Sequence, residues 1–141
     1  MDAKQLQDLF GAFIHALALY QPGPVPAGFS TSVSKMLALL TLADEAPMPQ
    51  HMLAERVQLD KSTVSRLVRE LERRGWVTRE RDRDDTRIVQ IGLTESGQQE
   101  AASLAQHLNE RHARLLAALT EDEQEALAHG LSALIRALKP V

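Results

Sequence analysis

The stretch LDKSTVSRLVRELERRGWV, from Leu59 to Val77, constrains the fold more than any other, because it specifies both ends and one face of a helix. Val64, Leu67, Val68 and Leu71 fall at i, i+3, i+4 and i+7, which places four apolar side chains on one side of an α-helix. Asp60 stands where a carboxylate can accept hydrogen bonds from the free N–H groups of the first turn. Gly75 lies just past the end, in the position favoured for a left-handed closing residue. At about 100° per residue, the opposite face holds Ser62, Arg66, Arg69 and Arg73, with Thr63 and Ser65 on its shoulders. Such a helix buries one side and displays a row of guanidinium groups on the other.

Its neighbours define a context for that row. A segment from about Gln50 to Val57, with Met52, Leu53 and Val57 for the core, precedes it across a turn of about three residues, the spacing of a helix-turn-helix. Beyond Gly75, WVTRER and RIVQIGL are β-rich, and Val89, Ile91 and Leu93 alternate as a half-buried strand should. The charged tip DRDD between them is expected to be polar and mobile, which makes the hairpin the wing of a winged helix-turn-helix. Upstream, Leu6, Leu9, Phe10, Phe13, Ile14 and Leu17 form the stripe of an amphipathic helix ending near Tyr20, and QPGPVPAGFS cannot continue it. A second helix from about Ser32 offers Val33, Met36, Leu37 and Leu40 to the core.

Downstream, Thr94 sits where an N-cap belongs, and the long helix after it carries Ala101, Ala105, Leu108, Leu115 and Leu119 in heptad-like spacing if His112 is counted. Thr120 with Glu123 makes a capping box for a last helix with Leu127, Leu131, Leu134 and Leu138. These apolar seams exceed what a compact winged unit needs, and the surplus predicts a homodimer. The expected fold is mainly α with a small β-hairpin wing (α+β). Residues 31–94 form the winged helix-turn-helix, and residues 1–30 and 95–141 a helical dimerisation region.

Composition excludes several functions. The 141 residues contain no cysteine, so disulfides, thiolate metal sites and thiol redox sensing are ruled out. The N-terminal residues lack a basic region followed by an apolar core of roughly 7 to 15 residues, and no run approaches about 18 apolar residues, so a cytoplasmic protein with no membrane partner is expected. No nucleophile with a base, no phosphate-cradling glycine loop and no paired acids suggest an enzyme. The net charge of -3 opposes a polyanionic partner, but its distribution does not. Between Arg56 and Arg87 nine Arg and one Lys face seven acidic residues, which concentrates positive charge in the middle of an otherwise acidic chain.

An α-helix fits the major groove of DNA, where Arg binds guanine O6 and N7 and where Ser or Thr contacts bases or phosphates. Lys61, Ser62, Thr63, Ser65, Arg66, Arg69 and Arg73 are therefore the candidate contacts of the helix, and Arg83 and Arg87 those of the wing in the minor groove. Asp85, two residues before Arg87, could orient its guanidinium. The alternative for the helix is a solvated face with minor i,i+4 pairs such as Arg66 with Glu70. For the whole domain it is a winged helix that binds an acidic protein partner.

LDKSTVSRLVRELERRGWV, then RERDRDDTR, then IGLTESG, with helices on both sides, resemble the MarR family of bacterial transcriptional regulators over nearly the whole chain. The resemblance implies an obligate homodimer whose terminal helices intertwine and whose two winged units read a palindromic operator in double-stranded DNA. It implies release of that operator by a small ligand, such as an aromatic or phenolic effector, bound between the dimerisation helices and the winged unit. Ser62, Thr63, Ser65 and Arg66 match the base-reading and phosphate-contacting segment, and Arg87 the wing arginine. Two positions depart from the family pattern. Pro49 stands where a Ser or Thr cap is frequent, and Gln58 replaces a turn glycine, with mild strain if its φ is positive.

For the effector, His15, Tyr20, Phe29, His51 and His112 are candidate pocket residues, chosen by their placement in that architecture. The five histidines also raise a metal-responsive repressor as an alternative, but only His107 and His112 are near neighbours, and a five-residue step does not put them on one helical face. No metal site and no cofactor are assigned.

Overall fold

The computed structural model describes residues 1–19 and 33–140. Among these, six helices and three short strands follow in the order α1 (Ala3–Leu19), α2 (Val33–Glu45), β1 (Met48–Pro49), α3 (Gln50–Val57), α4 (Lys61–Arg73), β2 (Val77–Arg81), β3 (Val89–Leu93), α5 (Glu95–Ala117) and α6 (Glu121–Leu138). The fold is mainly helical with a small antiparallel sheet, as the periodicities predict.

The sheet has the order β1-β3-β2. Val77 pairs with Leu93, Arg79 with Ile91 and Arg81 with Val89, so the hairpin carries one residue of each row to the core and the next to solvent. β1 is an element the sequence does not announce. Met48 and Pro49 pair with Ile91 and Gln90 of β3, and two residues are too few to show an alternation.

The core is built from one segment of the chain. Leu39 and Leu42 of α2, Leu53 of α3, Val64, Val68 and Leu71 of α4, Ile91 of β3 and Leu104 of α5 are fully enclosed. Each such side chain contributes about 1.5–3 kcal/mol relative to an exposed one. The inward stripe of α4 is the one its spacing predicts. For α2 the face differs: Ala38, Leu39 and Leu42 are buried, while Val33 and Leu37 of the expected stripe stand exposed. That helix has apolar residues nearly all round, so periodicity does not choose a side, and packing against α3 and α5 does. In α5 the enclosed positions are Gly97, Ala101 and Leu104, and beyond Leu108 the helix runs free of the core.

Thr94 joins the two parts of the chain. Its hydroxyl donates to the Gly75 carbonyl at 2.6 Å and accepts from the Gly97 N–H at 3.0 Å, while its own N–H donates to the Trp76 carbonyl at 3.0 Å. α5 therefore starts against the turn that ends α4. A Cβ on Gly97 would lie 2.0 Å from the Trp76 carbonyl oxygen, so only glycine permits this approach.

Candidate nucleic-acid interface

α3 and α4 meet across a turn that is closed twice. At the end of α3, Gln58 adopts the left-handed conformation (φ 56°, ψ 46°), and the N–H groups of Gln58 and Leu59 donate to the carbonyls of Glu55 and Ala54. The condition for mild strain at this replaced glycine, a positive φ, is met. Pro49 begins α3 without a side-chain cap, which is tolerable because proline has no N–H to satisfy. At the end of α4, Gly75 takes φ 80°, its N–H donates to the Glu72 carbonyl at 2.9 Å and that of Trp76 to the Leu71 carbonyl at 3.0 Å. This pair of bonds, with Trp76 and Leu71 both buried, is a Schellman closure.

With Val64, Leu67, Val68 and Leu71 buried beneath, α4 turns Ser62, Arg66, Arg69 and Arg73 outward, all exposed. Cations elsewhere in the segment are engaged with neighbours. Arg56 pairs with Glu45 at 3.0 Å, Arg79 with Glu72 at 3.9 Å, and Arg81 donates to the Thr86 carbonyl at 2.8 Å. Arg74 reaches Glu70 at 3.4 Å and stacks over the Trp76 ring at 5.1 Å. Glu70 also meets Lys35 of α2 at 2.5 Å, and these cations hold its carboxyl below the ordinary range, Lys35 first. The alternative pairing of Arg66 with Glu70 does not form, because Glu70 faces α2. Among the described residues, Lys61, Arg69, Arg73 and Arg83 have no hydrogen bond or ion pair, and Arg66 has only a 3.5 Å contact with the Thr63 hydroxyl. Within residues 56–87 the free cations are thus Lys61 at the start of the helix, those of the ridge and Arg83 of the wing.

The amino end of α4 is organised by one carboxylate. Asp60 Oδ1 accepts from the Thr63 N–H at 2.8 Å and from the Ser62 hydroxyl at 2.6 Å, and Oδ2 accepts from the Thr63 hydroxyl at 2.7 Å. The Ser62 hydroxyl, the Thr63 N–H and the Thr63 hydroxyl hold the Asp60 carboxyl far below the usual range. The sequence identifies Asp60 as a cap but not as the partner of both hydroxyls. Ser65 is half-buried on the shoulder of the ridge.

The wing is a knit loop. Asp82 Oδ2 accepts from the N–H groups of Asp84 and Asp85, both at 3.0 Å, and Oδ1 from the Gln90 side chain at 3.2 Å. Asp85 then grips Arg87 through two bonds of 3.0 and 2.9 Å to the guanidinium and one of 3.1 Å to its N–H. This is the expected orienting contact. Its side-chain bond lowers the Asp85 carboxyl and raises the Arg87 guanidinium from their ordinary values, and Arg87 still presents 89% of its side chain to solvent. The tip is a turn closed by an aspartate that stands two and three residues before the free N–H groups it caps. That spacing, D-x-D-D, was the signal for Asp82.

Three of the five candidate effector residues, His15, His51 and His112, fall within the described residues. Tyr20 and Phe29 lie outside the described residues. His15 is exposed on α1 and His112 on α5. His51 lines a cleft of about 210 Å³ with Lys61, Arg87 and Gln50, a setting shared with the ridge and the wing and not with His15 or His112. No three His, Asp or Glu side chains among the described residues come together as a metal site.

The geometry defines a winged helix-turn-helix with an arginine-bearing second helix. The family model described as "MarR family" matches residues 32–89, from α2 to the start of β3. The HTH-type transcriptional regulator YdgJ of Bacillus subtilis is 32% identical over 100 residues, which is 71% of this chain and 60% of that protein. A probable transcriptional regulator from Pseudomonas aeruginosa superposes with a TM-score of 0.71 at 29% identity over 90% of this chain and 93% of its own. FabT of Streptococcus pneumoniae, solved in complex with DNA, superposes with a TM-score of 0.80 over 97% of both chains at 19% identity, which speaks for the fold alone. The family match falls on residues 32–89, the winged helix-turn-helix of this chain. The chain spans somewhat over half of the length of YdgJ.

Proposed function

We propose that this protein is a sequence-specific DNA-binding transcriptional regulator, and no enzyme, that acts in the cytoplasm as a homodimeric repressor on a palindromic operator. The observation that carries the reading is the division of cations in residues 56–87. Arg56, Arg74 and Arg79 are paired with Glu45, Glu70 and Glu72, whereas Lys61, Arg66, Arg69, Arg73 and Arg83 are left to meet a polyanion. An anionic surface that pairs all of them at once is a nucleic-acid backbone. FabT was solved bound to DNA on the same fold, which agrees with the reading. No helix among the described residues is long and apolar enough to cross a membrane.

Release by a small aromatic or phenolic ligand is the regulatory half of the proposal. It draws support from a cleft of about 620 Å³ between α2, β3 and α5, where a winged unit meets a terminal helix. The test of DNA binding is an anisotropy titration with the duplex flanking the gene, at several salt concentrations. Log affinity should fall steeply with log salt. Arg66→Ala should weaken operator binding by about tenfold or more and random-sequence binding less. Affinity for DNA that is negligible at low salt, with binding to an acidic protein instead, would replace the regulator by a protein-interaction module.

A further inference from the structure

Both hydroxyls at the start of the ridge have already spent their protons. Each hydroxyl carries one hydrogen and two acceptor lone pairs. Asp60, ionised throughout the range in which DNA is bound, can only accept, so at 2.6 and 2.7 Å the Ser62 and Thr63 hydroxyls must both donate to it. What they turn toward a ligand is oxygen lone pairs. On Thr63 one of these lies 3.5 Å from the Arg66 guanidinium, which leaves the other for an incoming donor.

Resting on the regulator reading above, we infer that Asp60 sets the hydrogen-bond polarity of the helix end, so that Ser62 and Thr63 read the exocyclic amino groups of adenine or cytosine. In the major groove those amino groups are the only donors, while guanine O6 and N7 and thymine O4 are acceptors, as are phosphate oxygens. An acceptor facing an acceptor is repelled. Turning either hydroxyl outward to donate would break a short bond to a carboxylate, roughly twice as strong as a neutral one, and leave the Asp60 charge poorly satisfied. Asp60 is thus a positioning residue that determines specificity through its neighbours and touches no base. The same carboxylate occupies the positive end of α4 and keeps a phosphate from it.

The test is selection from a randomised duplex library with the intact protein and with Asp60→Asn. In the variant the amide oxygen keeps the Thr63 N–H and the Ser62 hydroxyl. The amide NH₂ then faces the Thr63 oxygen, which must accept and so frees its own proton outward. The wild type should enrich adenine or cytosine over guanine or thymine by about fivefold or more at the positions read by the two hydroxyls. Thr63→Val should erase that preference at one position, which identifies the Thr63 contact. Asp60→Asn should reverse it there to guanine or thymine and leave the Ser62 position as it was. A folded Asp60→Asn protein with an unchanged motif overturns the inference, and so does a wild-type motif with no amino-group preference at these positions. Enrichment of no sequence by the wild type would overturn the regulator reading itself, and the inference with it.

Discussion

Residues 38–104 and the terminal helices solve the same problem in opposite ways. Every buried apolar side chain among the described residues lies in that central stretch, and α6, with Leu127, Leu131, Ile135 and Leu138 along one side, encloses none of them. α1 is as bare, with Phe13 and Ile14 both at least 60% exposed. Exposed apolar patches of this kind mark interaction surfaces, of which contact with another chain is one kind. The central unit closes its core by itself, whereas the ends leave theirs exposed, and that exposure is the ground for the homodimer proposal. Leu131→Asp should break that difference most visibly. Under the homodimer proposal it converts the dimer to a monomer in sedimentation, and it lowers operator affinity by at least about 100-fold, because two linked winged units lose their shared binding. A variant that stays dimeric would move the interface away from α6.

Leu39→Ala addresses the other region. A fully enclosed leucine cut back to alanine costs about 2–5 kcal/mol, since a cavity remains in a packed interior. Chemical denaturation should give that loss at every protein concentration, whereas the stability lost in Leu131→Ala should shrink or grow with concentration, as association requires. Equal concentration dependence in the two variants would mean that the central unit does not fold on its own and that the contrast is false.

Gly97 lies where the two regions join. A Cβ there would lie 2.0 Å from the Trp76 carbonyl oxygen, so Gly97→Ala has to push the long helix away from the end of α4. A loss of about 1–3 kcal/mol is expected. The displaced start of α5 should also weaken operator binding with dimerisation intact, measured as anisotropy beside sedimentation. Unchanged affinity would show that the angle between the regions does not set the spacing of the ridges.

How much of this was legible depends on whether a feature is local. The ends and the inward face of α4 could be read directly, because Asp60, Gly75 and the stripe from Val64 to Leu71 act within one helix. The contact of Asp85 with Arg87 was readable for the same reason, being two residues apart. β1 was not, since a two-residue strand exists only through its partner β3. The buried side of α2 depended on which neighbours arrive, and a helix apolar nearly all round leaves that open. Lys35 meeting Glu70 joins residues far apart in sequence, and no local pattern marks such a pair. Asp60 was seen as a cap and its hold on two hydroxyls missed, because spacing reveals which groups can meet and not which donates.

The smallest effect tests whether the central unit carries a cost of its own. Gln58 sits exposed with φ 56°, a conformation that costs a residue with a Cβ about 1–2 kcal/mol over glycine. Gln58→Gly removes that cost but gives the unfolded chain more freedom, which takes back about 0.5–1 kcal/mol. The net should be a gain of roughly 0.5 kcal/mol in denaturation, the same at all protein concentrations. Operator affinity should change little, because Leu53 below α3 and Val64 below α4 hold the two helices from the core side. A loss of stability would mean that the Gln58 side chain contributes more than its backbone costs. An affinity loss at unchanged stability would place that side chain beside Lys61 at the DNA, with which it already lines a shallow cleft.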